Sequence, residues 1–263
     1  MYLTDYHTHT LMSPDSETPL PAMADAAVAA GLNELCVTDH CDLLELYGQP
    51  VDHYDWLPAL EQYARTAPRY AGKLTIRLGL EFGMAHLNPE LSSAILDRPE
   101  LDFVLGSVHN LCREKGGTDF YYVDYPDPAA CYAALDDYFQ SMAQLAVTDF
   151  YDVLSHIIYP LRYMDHPISL DRYHDALDGI FRSAAERGRG IEINTWRGRT
   201  LKEWLPVLRH FKACGGEIVT IGSDAHTPDG VGKGAAEACQ LLAEAGFRYL
   251  ATYEKRKPVF HTL

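Results

Sequence analysis

Run after run of apolar, strand-like sequence in this chain stops at a histidine or an acidic residue. Residues 2–6 lead into His7-Thr8-His9, 35–38 into Asp39-His40 and 74–80 into Glu81. Residues 101–108 stop at His109, 150–155 at His156, and 217–222 at Ser223-Asp224-Ala225-His226. Helical stretches fall between these runs. Pro19 and Pro21 introduce an Ala-rich helix to about residue 30, stopped by Gly31. Periodicity predicts further helices over 55–67, 89–96, 128–147, 170–187 and 200–213. A last helix ends near residue 245, after a turn rich in glycine (Gly230, Gly232, Gly234). Residues 190–194 and 248–252 read as two more strands, the second followed by a short tail.

Strand followed by helix, repeated about seven times, is the mark of parallel βα units. Such units close into a barrel or spread into an open, doubly wound sheet. No Gly-x-Gly-x-x-Gly follows the first strand, so a dinucleotide-binding sheet has no support. In a barrel, functional side chains gather where the strands end. The histidines and acids fall there repeatedly, which favours an α/β barrel with a metal centre at the C-terminal mouth of its strands. No linker or composition shift interrupts the chain, so residues 1–263 are expected to form one domain.

The balance of charge narrows the partners. The chain has 22 basic and 37 acidic residues and a net charge of −15. That argues against a nucleic-acid backbone and suits a site rich in cations. The six cysteines are scattered, with no Cys-x-x-Cys pair, and read as reduced thiols. No apolar run approaches the ~18 residues of a membrane span, and Met1 leads straight into a strand rather than a signal peptide. A cytoplasmic protein without membrane contact is the expectation. His53, His86, His166, His174, His210 and His261 end no strand and read as surface or packing residues.

On a strand, side chains alternate, so His7 and His9 point the same way. Neutral imidazoles with carboxylates are ligands for zinc, iron or manganese rather than for calcium or magnesium alone. The candidates are His7, His9, Asp15, His40, Glu81, His109, His156, Asp224 and His226. A catalytic zinc takes about three protein ligands, so this set suits two or three divalent ions. Glu81 could bridge two of them. Metals ~3.5–4 Å apart clamp the attacking and leaving oxygens of a displacement at phosphorus.

These residues carry a resemblance to the polymerase and histidinol phosphatase (PHP) superfamily. His7-Thr8-His9-Thr10 matches its first motif, Thr38-Asp39-His40 its second, His156 its third and Ser223-Asp224-Ala225-His226 its fourth. Glu81 at a strand end and Gly106-Ser107-Val108-His109 match too. Residues 156–163 (His-Ile-Ile-Tyr-Pro-Leu-Arg-Tyr) and Glu192-Ile193-Asn194-Thr195 are similar to the short histidinol-phosphatase branch. The resemblance covers nearly the whole chain and implies a distorted (β/α)7 barrel with three metal ions. It implies that His7, His9, Glu81 and Asp224 hold the first. Glu81, His109 and His156 would hold the second, and Asp15, His40 and His226 the third. Relatives can carry His in place of Asp15, and Glu17 lies in the same loop. Asp39 would orient a ligand histidine from behind.

The chemistry so implied is hydrolysis of L-histidinol phosphate, a small phosphate monoester, in histidine biosynthesis. A metal-bridging hydroxide would attack phosphorus in line. The leaving alkoxide needs a proton from Asp224 or His226, and sequence does not choose between them. Arg162 and either Arg197 or Arg199 are placed to fork onto phosphate oxygens. The family has a small residue and Gly after Asn-Thr, whereas this chain has Trp196-Arg197-Gly198-Arg199. Glu114 is a candidate acceptor for the substrate's amine. Among Tyr121, Tyr122, Tyr125, Tyr132 and Tyr138, one or two would wall the pocket. The rival substrates are cyclic phosphodiesters and sugar phosphates. A nuclease is disfavoured by the charge, and a silent binding domain by the complete donor set.

Overall fold

The protein is described by a computed structural model that covers residues 1–263. Strands β1 (Thr4–Asp5), β2 (Glu34–Val37), β3 (His40–Asp42), β4 (Thr75–Gly83) and β5 (Phe103–Ser107) alternate with helices α1 (Leu20–Ala29), α2 (Leu57–Thr66) and α3 (Pro89–Leu96). Then come α4 (Pro128–Ala146), β6 (Val153–Leu154), α5 (His174–Glu186), β7 (Gly190–Asn194), α6 (Trp204–Ala213), β8 (Val219–Gly222) and α7 (Ala235–Glu244). Strands β9 (Tyr249–Glu254) and β10 (Lys257–Thr262) close the chain.

The sheet runs β1-β2-β4-β5-β6-β7-β8, every pair parallel. β3 continues the line of β2 and pairs His40 with Glu81 on β4. Spatial order follows chain order, so each crossover joins neighbouring strands and carries its own helix. Tyr6 N–H donates to Ile221 O at 2.8 Å, and Asp224 N–H to His7 O at 2.9 Å, bringing β8 back beside β1. The result is a nearly closed, distorted seven-strand parallel barrel ringed by helices. No helix is long and apolar enough to cross a membrane.

Local sequence explains the elements. Pro in the first turn opens α1, α2, α3 and α4, where its missing N–H costs nothing. Asp127 and Asn88 cap α4 and α3 through their side chains. On α5, Leu177, Ile180, Phe181 and Ala184 recur every three or four residues and form the buried face. Fully burying each of the three large ones contributes roughly 1.5–3 kcal/mol. Two helices start later than the periodicity suggests. α5 begins at His174 after a 3-10 turn over Asp171–Tyr173, and α6 begins at Trp204.

The end of the chain differs from the expectation of one strand and a tail. β9 and β10 form an antiparallel ribbon outside the barrel sheet. Their two-residue turn is Lys255-Arg256, both at positive φ (49° and 61°). Tight hairpins need that geometry, and Asn-Gly is the usual signal for it. Here tertiary contacts hold it instead. Both backbone N–H groups donate to Asp102, and the Arg256 guanidinium pairs with buried Asp152. Tyr253 of β9 packs with Tyr6, Phe103 and Val153.

Candidate metal centre

The histidines and acids at the strand ends converge on the mouth of the barrel around Glu81, itself buried on β4. One oxygen, Oε2, lies 3.0 Å from His7 Nε2, 3.4 Å from His9 Nε2 and 3.2 Å from His40 Nδ1. The other, Oε1, lies 3.1 Å from His109 Nε2 and 3.0 Å from His156 Nε2. Asp224 Oδ1 completes the inner group, 3.7 Å from His7 Nε2 and 3.6 Å from His9 Nε2. On the rim, Asp15 Oδ2 lies 2.8 Å from His226 Nε2 and 3.6 Å from His40 Nε2. Glu17 is exposed, and Asp15 is the acid of that loop that reaches the centre.

Backbone geometry puts them there. His7 and His9 leave β1 two residues apart and so share a face. Gly222 on β8 makes room, because a Cβ there would collide with His7 and with the Glu192 carboxylate. Asp224 sits at φ 59°, a left-handed conformation costing of order 1–3 kcal/mol outside glycine. Its N–H bond to His7 O helps hold it so, with the side chain aimed at the imidazoles.

A layer of acids and hydroxyls stands behind the rings. His7 Nδ1 meets Glu192 Oε1 at 2.7 Å, and His109 Nδ1 meets Asp42 Oδ1 at 2.7 Å. Asp42 also reaches His40 Nδ1 at 3.3 Å. Asp39 acts through Ser13. The Ser13 hydroxyl donates to Asp39 at 2.8 Å and lies 3.0 Å from His9 Nδ1. Such partners fix which ring nitrogen faces inward.

This donor set fits divalent transition-metal ions. Bonds of about 2.0–2.1 Å in a tetrahedral site space nitrogen and oxygen donors about 3.3 Å apart. The distances around Glu81 fall at that spacing. Moreover, His7 Nε2, His9 Nε2, His40 Nδ1 and Glu81 Oε2 are buried with no hydrogen-bond partner. Each such orphan costs roughly 1–3 kcal/mol, and imidazole nitrogens gathered around one carboxylate oxygen are what bound cations resolve.

Charge follows the same plan. Burial and the nearby positive rings of His226 and His40 push His9 down to about 3, and burial alone leads in pulling His156 to about 4. Burial also opposes charge on His7, His40 and His109, but their carboxylate neighbours outweigh it. Glu192 leads at His7, Glu81 at His40 and Asp42 at His109, and all three are held well above the usual imidazole range. Glu81 and Asp224 are held well below the usual carboxylate range against burial, first by His7 and then by His40 and Arg162 respectively.

Above the centre opens a cavity of about 600 Å³. Asp15, His40, Glu81, His109, His156, Asp224 and His226 line it, while His7 and His9 lie buried beneath. Arg162 bridges Asp224 Oδ2 at 2.7 Å and Asn194 Oδ1 at 2.6 Å. It packs between the Tyr159 and Trp196 rings. Arg197 also lines the cavity, and its Nε is buried without a partner. Trp196, Arg197 and Gly198 all have positive φ, and that left-handed turn brings Arg197 to the cavity while carrying Arg199 out to solvent over the outer side of Trp196. Arg199 is thus not among the lining residues.

Nor is Glu114. It lies exposed in a 3-10 turn (Arg113–Lys115), and the acid of that loop which lines the cavity is Asp119. Of the tyrosines singled out, Tyr121 and Tyr122 wall the cavity, whereas Tyr138 is fully buried and Tyr125 and Tyr132 pack on the core. Tyr159 and Tyr163 join the wall. Asp42 and Asp119 are the site residues that sequence reasoning missed, and Glu192 and Asn194 stood in a matched segment without a role. Asp42 was within reach of the alternation rule, two residues after His40.

A model of the PHP domain family matches residues 5–196. The probable histidinol-phosphatase of Clostridium acetobutylicum is 30% identical over 259 residues, covering 96% of this chain and 97% of that protein. The histidinol-phosphatase of Lactococcus lactis subsp. lactis is 28% identical over 268 residues, covering 96% and 95%. A crystal structure of histidinol phosphate phosphatase from L. lactis subsp. lactis, complexed with zinc, L-histidinol and phosphate, superposes with a TM-score of 0.82 at 26% identity. It covers 98% of both chains. The chain therefore belongs to the PHP domain family, in the branch whose curated relatives are named histidinol-phosphatase.

Proposed function

We propose that this protein is a metal-dependent phosphomonoesterase that hydrolyses L-histidinol phosphate to L-histidinol and phosphate, as in histidine biosynthesis. The ring of imidazoles around both oxygens of Glu81 carries the reading. End-to-end likeness to a relative whose crystal structure holds zinc, L-histidinol and phosphate supports it.

His7, His9, Glu81 and Asp224 would hold one divalent ion, Glu81, His109 and His156 a second, and Asp15, His40 and His226 a third. Zinc, manganese and iron all suit such donors. The cluster His7–His9–Asp224 supports the first of these sets, and the short contacts of His109 and His156 with Glu81 Oε1 and of His226 and His40 with Asp15 support the other two. When bound, such ions supply Lewis acidity and an acidified water.

The chain's own side chains do the rest. Arg162 and Arg197 bind the phosphate oxygens, and Arg162 keeps Asp224 ionised and oriented. Asp224 is held ionised and has no proton to give, so His226, at the edge of the cavity, delivers the proton that the leaving alkoxide needs. Asp119 receives the substrate's ammonium, and the Tyr121, Tyr159 and Tyr163 rings keep water from the organic end. The chain works as one domain over 1–263. Six free cysteines support a cytoplasmic setting.

The rival reading is another small phosphate ester. A second arginine from the Trp196-Arg197-Gly198-Arg199 turn would favour a substrate with two phosphates, but Arg199 faces solvent. The net charge of −15 disfavours nucleic acid. Chelation tests the metal dependence. Excess chelator abolishes phosphate release, and zinc or manganese restores it. Turnover that survives excess chelator contradicts the proposal.

A further inference from the structure

Away from the barrel mouth, α5 and α6 pack side by side and carry another group of metal-type donors. Asp178 Oδ1 lies 3.5 Å from His210 Nε2 and 3.2 Å from Cys214 Sγ, and the three donor atoms are all within 4.8 Å of one another. His210 is in the last turn of α6, and Cys214, the residue that caps it, follows four positions later. Residues so spaced stack on one face of a helix, and here that face meets Asp178 on α5.

The two separations from Asp178 Oδ1 are close to those of a metal site. Zinc bonds of about 2.3 Å to sulfur and about 2.0–2.1 Å to nitrogen or oxygen, arranged tetrahedrally, set sulfur and oxygen about 3.5 Å apart and nitrogen and oxygen about 3.3 Å apart. The group is also held in place. Arg182 Nε donates to Asp178 Oδ2 at 2.6 Å, with a longer contact of 3.3 Å from Nη2 to Oδ1. That leaves Oδ1 turned to the imidazole and the thiol. His174 stacks on His210 with ring centroids 4.5 Å apart, and Phe181 meets the same ring edge-on. Cys214 is buried, while Asp178 and His210 keep partial access to solvent through which an ion can enter. No part of the group reaches the substrate cavity.

We propose that Asp178, His210 and Cys214 form a separate peripheral site for a thiophilic divalent ion of the zinc class, bound through one oxygen, one nitrogen and one sulfur. Water completes the coordination, and the ion clips α5 to α6. The Cys214 thiol S–H donates to Asp178. On binding, that proton passes to solvent and the thiolate takes the ion, with no change of oxidation state. The site does not depend on the substrate assigned to the barrel.

Titration with cobalt(II) as the sole metal separates the two sites. The barrel-mouth donors are nitrogen and oxygen only, so a thiolate-to-cobalt charge-transfer absorption reports Cys ligation alone. The expected result is such a band in the parent protein, with a final intensity that corresponds to about one thiolate-ligated cobalt per chain. Cys214→Ser loses the band, Cys41→Ser keeps it, and phosphate release by Cys214→Ser is unchanged. His210→Ala, which retains every cysteine, shifts half-saturation at least about tenfold upward. Circular dichroism of both variants guards against misfolding as the cause. Absence of a thiolate band in the parent protein overturns the proposal. So does a band that survives Cys214→Ser, or one that His210→Ala leaves at the same affinity.

Discussion

Arg197 and Arg199 stand two residues apart and have different surroundings. Arg197 lines the cavity with a buried, unpartnered Nε, and Arg199 faces solvent. A charge-assisted bond to phosphate is worth roughly 1.5–3 kcal/mol, or about 10–100-fold. Arg197→Ala therefore raises KM for the phosphate ester by about tenfold or more, and Arg199→Ala leaves it within about twofold; steady-state kinetics on the two variants decides. The sequence could not separate them, because the turn that does so puts Trp196 and Arg197 at positive φ, which neither residue signals. The same limit hid what Glu192 does, although the segment that holds it was matched. An acid inside a short strand reads as solvent-facing, and only closure of the barrel brings it 2.7 Å from His7, 185 positions away. By contrast, the eight residues at the strand ends were legible one by one, since alternation and strand boundaries bring them to one mouth, whereas Asp15 lies in a loop and its place came from the family resemblance.

At the scale of elements, strand ends are tuned by small residues where side chains cross the barrel. A Cβ at Gly222 would meet the His7 Cβ and the Glu192 carboxylate. Gly222→Ala pushes β8 from β1 and turns the His7 ring, so metal content measured by elemental analysis falls together with turnover. A variant with full metal content and parent-like kcat contradicts the role given to that contact. The order of strands and helices was readable because periodicity and Gly or Pro stops mark each unit. The β9–β10 ribbon was not, because tertiary anchoring at Asp102 and Asp152 replaces the usual turn residues. The glycines at 230, 232 and 234 serve a turn, as expected, with Gly232 N–H donating to Asp5 and Gly234 preceding α7 in a left-handed conformation.

For the whole molecule, the metal centre couples stability to pH. In the metal-free chain His7, His40 and His109 are held well above the ordinary imidazole value by their carboxylates. Their folded-state pKa values are raised, so the stability they contribute is complete below the unfolded value of about 6.5 and is lost as pH rises above it. Metal ligation needs neutral imidazoles, so it releases these protons and strengthens over the same rise. The difference in melting temperature between metal-loaded and stripped protein therefore widens from about pH 6 upward. At a thousandfold excess over Kd the loaded form gains about 4 kcal/mol, a shift of roughly 5–10 °C for a chain of this size. Calorimetry at several pH values checks it, and a gap that narrows as pH rises contradicts the assignment of these rings as ligands.

The most direct test of the central claim is phosphate release by the metal-reconstituted protein from a panel of small esters. The panel holds L-histidinol phosphate, sugar phosphates, cyclic phosphates and an aryl phosphate. The account predicts a kcat/KM for L-histidinol phosphate within the ~10⁴–10⁸ M⁻¹s⁻¹ that enzymes reach on their own substrates, and far above every other ester. Weak turnover of L-histidinol phosphate beside efficient turnover of another ester would contradict it. That result would keep the barrel and its metals, and move the substrate.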